Sequence, residues 1–540
     1  MNQIATLEDA IIAKYQLERF MLDSPQGWLG SGKRIFARLP PAQLEWSVEW
    51  GKLILSWWDD SQSQSLRIVG YAIEQSRIIL QGKRGLMTEP IRLFFDRQID
   101  DKAVAFEIPP ERLTERRVWY GQLLARLIRE QIPAVRVRHH STGTDHHHRV
   151  PGRYARMVLS RRGETILAIG VSAGEAPAII DGITAAGLVW YENYNLERNT
   201  ARQARQLWFF LPRLPRDRSL TAMERLPLLK TGTGTGGFGC YEVDEIRHEI
   251  SQLQPVAQME LLSSYPRELL WPAETESLDR AGAEWHRRIL ALAPELIETR
   301  HRPGGLISYA INGLEFARLP INDHLSANFG VAGDPFPRHP HQRSPFGTPL
   351  DERTMPELRR LVERLIANRN GTAREHRHPF YRLRTEAWLE SLLRRDIRRL
   401  DPELDPRFVY SQIPTWHADQ RSVIDLLSVK RDGPDRGRMV VIEIKAAEDL
   451  QLPIQGLDYW LRVEQARARG EFTRRRLFDG MPLADRSPLL YLVAPRLRFH
   501  RNFTIIARCL NPEIAAYRVG LNANWREGIR VHSMELLQSL

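Results

Sequence analysis

Two apolar runs, SVIDLLSV at 422–429 and MVVIEIKA at 439–446, each carry a charge inside a stretch that otherwise reads as an enclosed β-strand, and this pair constrains the fold more than any other feature. Runs of this kind, apolar on both faces and rich in β-branched residues, belong to interior strands of a sheet covered by helices. Around them the hydrophobic periodicity predicts a helix over about 383–399, strands over 407–411, 422–429 and 439–446, a helix over 452–468 and a strand over 488–493, with a further strand near 503–508. Adjacent strands joined by short turns, followed by a helical crossover, give a mixed sheet with helices on its faces, here an αβββαβ core.

The charges suggest chemistry. Asp425 sits between apolar neighbours, while Glu443 and Lys445, two apart, project from one face of their strand. An isolated charge in an apolar strand is costly unless it pairs or binds a metal. Two readings follow, a buried carboxylate–lysine salt bridge or a cation site. The E-x-K spacing alone is weak, because Asp100-Asp101-Lys102 meets the same pattern in a polar turn with no second carboxylate strand beside it. In the preceding helix, TEAWLESLLRRDI, Glu386 and Glu390 are four apart and share a face, so one can approach the carboxylate end of the sheet while the other stays wet. Gln455 and Tyr459 in LPIQGLDYWLRV are likewise neighbours on one helix face that could line the same cleft. The bland alternatives are a solvated charged face for the first pair and amphipathic packing for the second.

Taken together, Glu386-x-x-Leu389-Glu390, Ile424-Asp425, Val441-Ile442-Glu443-Ile444-Lys445 and Gln455-x-x-x-Tyr459 resemble the PD-(D/E)XK, restriction-endonuclease-like superfamily, most closely its NucS/EndoMS-type nuclease domain, over roughly residues 383–495. The resemblance implies a metal-dependent nuclease. Asp425 and Glu443 would be ligands of Mg²⁺ or Mn²⁺ with help from the Ile444 carbonyl, Lys445 would stand beside the attacking water, and Gln455 and Tyr459 would support the site. Glu386 matches the family's helix carboxylate better than Glu390 and joins the implied ligands. The amino-terminal half of that family is not recognisable here, so its mismatch or branched-DNA preference is not carried over. The expected function is a DNA endonuclease of defence or repair; the alternative is a silent nucleic-acid-binding or scaffold protein that keeps the fold.

Such a residue set has a physical rationale. Phosphodiester cleavage needs a water made nucleophilic and a more negative phosphate stabilised, and clustered carboxylates hold the divalent ion that serves both ends. A lysine suits the task of orienting a water better than the planar fork of arginine, and lysine is scarce in this chain: eight against 69 arginines. The cluster Arg394, Arg395, Arg398 and Arg399 and the run Arg474–Arg476 are candidates for phosphate contacts, or solvated helix faces.

Composition fits a nucleic-acid partner. Net charge is +11, and residues 371–540 hold 29 basic and 22 acidic residues, so most of the excess lies in under a third of the chain. No apolar run is long enough to span a bilayer and the first residues lack a signal pattern, so the expectation is a cytoplasmic protein with no membrane partner. Cys240 and Cys509 suggest neither a disulfide framework nor a zinc site.

At 540 residues a multidomain α/β (α+β) chain is expected. Residues 1–112 read as β-rich, with strands at 66–72, 78–80, 91–95 and 104–108 and a core anchored by Trp46, Trp50, Trp57 and Trp58. Residues 113–215 read as α/β, with a helix over 115–131, a basic histidine-rich loop, strands near 155–160 and 165–171, a helix over 176–191 and a strand over 207–211. Residues 216–300 are mixed and mainly helical, around 242–252 and 276–298; 301–372 read as a β-hairpin turning at Asn312-Gly313 followed by a linker that bears a helix at about 355–368; and 373–540 form the nuclease-like domain.

Residues 155–213 echo 424–496 in their order of strand, turn, strand, helix with an aromatic pair, and strand ending in Pro-Arg. In that alignment Arg156, Ala168 and Gly170 face Asp425, Glu443 and Lys445. This predicts a degenerate nuclease-like copy used for binding or for homodimer formation; the alternative is two ordinary α/β layers. Three further signals are discounted: the phosphate-loop-like GWLGSGK at 27–33, where Arg34 replaces the Ser/Thr that holds magnesium, the glycines 232, 234 and 237, and a metal site among His139, His140 and His146–His148.

Overall fold

The computed structural model describes residues 2–537 apart from short segments, the longest being 96–112, 270–279 and 332–345. The protein is mixed α/β and is built on four sheets. Among the described residues no helix is long and apolar enough to cross a membrane.

The first sheet is antiparallel: β1 (Asn2–Gln3), β2 (Gly27–Ser31), β3 (Arg34–Leu39), β4 (Gln43–Glu49), β5 (Lys52–Trp58), β6 (Ser63–Glu74), β7 (Arg77–Arg84) and β8 (Met87–Phe95). An unanticipated helix, α1 (Leu7–Leu22), packs on it through Ala10, Ala13 and Leu17 beside the buried Trp46 and Trp57. Trp50, the side chain of Trp58, the strand expected at 104–108 and Asp100–Lys102 lie outside the described residues. Gly27–Ser31 of GWLGSGK form β2, paired antiparallel with β3, rather than leading into a helix, while Gly32 and Lys33 lie outside the described residues.

The second unit runs α2 (Leu113–Gln131), β9 (Val135–Ser141), β10 (Ala155–Arg161), β11 (Glu164–Gly170), α3 (Pro177–Asp181), α4 (Ile183–Leu196), β12 (Ala204–Pro212), α5 (Thr221–Arg225), β13 (Gly237–Asp244) and β14 (Glu249–Leu253). Two expectations are corrected. The helix expected over 242–252 is the β13–β14 hairpin: Tyr241 and Val243 alternate into the core with a period of two, a pattern that the helix-favouring Glu and Arg residues around them obscure. His139 and His140 lie exposed on the edge strand β9 rather than in a loop, while His146–His148 lie outside the described residues.

Helix α6 (Gln258–Ser263) follows and buries Leu261 in a core that also holds residues of the second unit. The third unit holds α7 (Arg280–Leu290), β15 (Ile297–Arg302), β16 (Leu306–Ile311), β17 (Leu314–Pro320), β18 (Asn328–Phe329), β19 (Thr348–Pro349) and α8 (Met355–Asn368). The five strands and α8 enclose a core of their own, so this is more than a linker. The helix expected over 276–298 stops at Leu290, ahead of Pro294, and β15 takes the rest. Asn312 and Gly313 turn the hairpin with φ of 46° and 72°, the paired positive values of a type I′ turn.

The fourth unit runs α9 (Pro379–Arg382), α10 (Thr385–Arg395), β20 (Leu404–His417), β21 (Gln420–Arg431), β22 (Gly437–Ile444), α11 (Leu452–Ala468), α12 (Glu471–Arg474), β23 (Leu489–Pro495), α13 (Phe503–Arg508), β24 (Ala516–Leu521) and β25 (Val531–Leu536). The strand expected near 503–508 is instead helical, burying Phe503, Ile506 and Ala507 at helical spacing, and β24 and β25 were not foreseen.

The second and fourth sheets have one topology. Each begins with an antiparallel meander of three strands, continues with two parallel strands and ends on an antiparallel one, and each places its crossover helix between its third and fourth strands. Registers correspond as well: Val171 N donates to Phe210 O as Lys445 N donates to Val493 O, at 3.2 and 2.9 Å. Gly187 in α4 and Gly456 in α11 hold the same place, since a Cβ on either would lie 2.7 Å from Phe209 or 2.5 Å from Leu492. Four residues further on, Tyr191 and Trp460 donate to the Ala204 and Pro488 carbonyls that lead into the next strand. This register moves the sequence alignment by one residue in β11, a slip that exchanges sheet faces. Ile169 and Val171, not Ala168 and Gly170, face Glu443 and Lys445, while Arg156 keeps its place opposite Asp425.

Helices α2 and α10 cover the outer faces of these two sheets, and α4, α11 and α13 lie in one continuous core between them.

Candidate active site

Strands β21 and β22 set the central residues. Their register, fixed by Leu426 opposite Ile442, brings Asp425 beside Glu443. Asp425 Oδ2 accepts from Ile444 N at 2.9 Å, and Lys445 Nζ donates to Glu443 Oε1 at 3.0 Å. The salt bridge considered from the sequence is therefore present, but it leaves one ammonium against two carboxyls. Glu443 is only 2% exposed, and its Oε2 has no hydrogen-bond partner. Burial pushes the Glu443 carboxyl up to about 7. Burial, with the Glu443 carboxylate adding to it, drives Asp425 well above the usual range. Burial alone would lower Lys445, but the Glu443, Glu386 and Asp425 carboxylates outweigh it and hold the ammonium above the ordinary lysine value.

Of the helix residues, Tyr459 comes to this pair: burial, then the charges of Glu443 and Asp425, raise its phenol. Gln455, one turn earlier, has a buried Oε1 without a partner. Glu386 is exposed in the first turn of α10 and lines the cavity beside Asp425. Glu390 is buried and dry. It accepts from Arg300 Nη1 at 3.1 Å and Gln412 Nε2 at 3.2 Å, and burial pushes its carboxyl up to about 7.

The cavity has a volume of about 990 Å³, with Asp425, Glu386 and Gln412 on its wall. Its cations are Arg382, Arg384, Arg498 and Arg526, none singled out from the sequence. They come from three separate segments, and the only local signals were the alternation YRLRTE before α10 and the dipeptide Trp525-Arg526. Of the basic clusters named from sequence, Arg394 and Arg395 pair with Glu298 at 2.9 Å each, Arg398 and Arg399 lie 3.4 Å from Asp396, Arg475 pairs with Glu471, Arg474 and Arg476 are exposed, and none of them lines the cavity. Arg526 packs its guanidinium over Tyr381, Trp388 and Trp525.

The wall is held from the third unit. The fully buried Arg369, at the end of α8, donates to the carbonyls of Ile311, Asn312, Phe380, Leu383 and Arg384, tying the type I′ hairpin to the segment that carries Arg382 and Arg384. Gly313 at the hairpin tip abuts the first turn of α10, where any Cβ would meet the Ala387 carbonyl at 1.9 Å.

The donor set suits a small divalent cation. Mg²⁺ takes one or two carboxylates and keeps several waters, and here a partnerless buried carboxylate oxygen stands beside a second carboxyl. Among the described residues no group of three His, Cys, Asp or Glu side chains is close enough to form a ready-made metal site, so the fit rests on the two carboxyls, with Glu386 at the cavity wall. Comparison with known protein families, with curated proteins and with solved structures finds no match to this chain.

Proposed function

We propose that residues 373–540 form a metal-dependent nuclease of PD-(D/E)XK type that hydrolyses DNA, as an endonuclease in defence or repair. One observation carries this reading: Asp425 lines an arginine-lined cavity and, behind it on the adjacent strand, the buried Glu443 is paired with the Lys445 ammonium. A buried pair of carboxyls with raised pKa values is unfavourable for stability, which is common at functional sites. Mg²⁺ or Mn²⁺ held by Asp425, Glu443 and the Ile444 carbonyl, with Glu386 in support, would supply the positive charge that phosphodiester hydrolysis needs at the phosphate and its attacking water.

The remaining work falls to the chain. Arg382, Arg384, Arg498 and Arg526 bind the phosphate backbone and position it over Asp425. Lys445 donates to the attacking water and offsets charge developing on the phosphate. Gln412, held by Glu390, fixes the polar wall, while Tyr459 closes the inner side of the Glu443–Asp425 pair and limits bulk water.

The test is cleavage of labelled single-stranded, duplex, mismatched and branched DNA, and of RNA, with Mg²⁺ or Mn²⁺, by the native chain and by Asp425→Ala and Lys445→Ala. Metal-dependent cutting lost in both variants is expected. A second reading, a silent nucleic-acid-binding protein, draws on the lack of a three-residue ligand cluster among the described residues. Undiminished binding with no cutting by any of the three proteins would establish it.

A further inference from the structure

We propose that the second unit occupies, within one chain, the place of a second subunit, so that the protein acts as a monomer with one cutting site and breaks one strand per encounter. This rests on the nuclease reading above. The contact between the two six-stranded units is reciprocal. Helix α4 of the second unit packs on α13 of the fourth, and α5, which occupies the position of α13 in its own unit, reaches α11. Arg225 in α5 donates to both oxygens of Asp458 in α11 at 2.8 and 2.6 Å, and Arg462 donates to Glu224 at 2.6 Å. The segments after α5 and α13 then pair antiparallel with each other: Lys230 N donates to Cys509 O at 2.7 Å and Asn511 N to Leu228 O at 2.9 Å. Equivalent elements meeting each other in reverse is the signature of an isologous, two-fold contact, ordinarily made between two copies of a chain. Here it is made inside one chain and sealed in a continuous core, so this face is closed to a second molecule.

The second unit cannot supply a second cut. At the places of Asp425, Glu443, Lys445, Gln455 and Tyr459 it carries Arg156, Ile169, Val171, Ala186 and Trp190, with no carboxylate and no lysine. The end of β11, which corresponds to the cavity end of β22, is filled: Glu245 accepts from Ser172 Oγ and Ala173 N, and Arg117 clamps Glu175 through two bonds. Each encounter thus adds one water across one P–O bond, the water oxygen joining phosphorus while the displaced oxygen leaves as a hydroxyl.

The experiment uses the full chain, supercoiled plasmid in excess and Mg²⁺. Open-circle DNA is expected to accumulate first, with linear DNA arising only from it, and equimolar Asp425→Ala chain should leave the rate per native chain unchanged. Sedimentation should give the 62.5 kDa of one chain. Linear DNA formed at once, a particle of twice that mass on the plasmid, or a rate poisoned by the inactive chain would each overturn the proposal. A chain that binds plasmid but cuts nothing overturns the nuclease reading itself, whereas cutting with immediate linear product overturns this inference alone.

Discussion

The second and fourth units share strand order, direction and register, yet the carboxyl end of the third strand is filled in one and open in the other. In the second unit that end is neutralised: Arg156 lies over the Trp190 ring, Arg117 is paired with Glu175, and the Glu245 carboxylate caps the loop. In the fourth, the buried Asp425 carboxyl, with Glu443 buried behind it, lines a cavity bearing four arginines. Burial of the apolar faces determines the backbone in both, and a handful of side chains at one strand end decides whether the fold has anything to do.

The comparison is tested most severely at the matched positions. Asp425→Ala and Lys445→Ala are expected to lower the single-turnover cleavage rate by about a thousandfold or more, roughly 4 kcal/mol of transition-state stabilisation. Arg156→Ala and Val171→Ala, at the corresponding points of the second unit, should leave the rate per folded chain unchanged, although Arg156→Ala gives up a bond to the Gly143 carbonyl and should cost about 1 kcal/mol in a denaturant titration. A rate collapse in the second-unit variants at full secondary structure would show that the two halves share the chemistry.

The joint between the halves offers the next effect. Arg225 is 1% exposed and serves Asp458 and Asp181 together. Arg225→Ala takes its bidentate partner from the buried Asp458, and removing one partner of a buried pair costs about 3–5 kcal/mol. Urea unfolding followed by fluorescence should move to lower midpoint, and both halves should unfold in one transition because they share a core. Two separated transitions in the native chain would mean that the units are independent.

What could be read beforehand follows from where the information lies. β21, β22 and α11 were legible because each is one continuous apolar pattern, and Asp425, Glu443, Lys445 and Tyr459 came with them, their meeting dictated by period two and by the crossover. The arginine wall was not, because Arg382, Arg384, Arg498 and Arg526 converge only through tertiary structure, held by Arg369 from another unit. β13 and β14 were hidden by charged residues that favour helices, and the one-residue register of β11 is set by strand pairing rather than by any residue in the strand.

A smaller effect separates the halves by pH. Burial pushes Glu245 up to about 7, against the lowering influence of the Ala173 amide and the Ser172 hydroxyl. The folded chain therefore keeps the proton up to about pH 7, whereas the unfolded chain loses it near the ordinary 4.5. Folding stability contributed by this group is full below the unfolded value and falls as pH rises through that window, by up to about 3 kcal/mol. Glu245→Gln can accept from Ala173 N while its amide donates to the Ser172 hydroxyl. It should flatten the dependence of the urea midpoint on pH between about 5 and 7 and raise the midpoint above pH 7. An unchanged slope would mean that the plug in the second unit is solvated.

The fourth unit should show the opposite use of the same physics. Glu443, pushed up to about 7 by burial, and Asp425, raised further by its neighbour, must release protons before their oxygens can hold a cation. Affinity for Mn²⁺, measured by calorimetry without nucleic acid, should rise about tenfold per pH unit for each proton released, the share from Glu443 levelling off above about pH 7. Proton uptake by buffers of different ionisation enthalpy would count those protons directly. Glu443→Gln removes one of the two carboxylates and one titrating group, so the remaining affinity should be weaker and its pH slope shallower. Arg156→Ala in the second unit, which leaves that unit without a carboxylate at the matched position, should change neither. If Mn²⁺ bound equally at pH 5.5 and 7.5, the ion would be held by groups already ionised, and Asp425 and Glu443 would be partners of Lys445 alone.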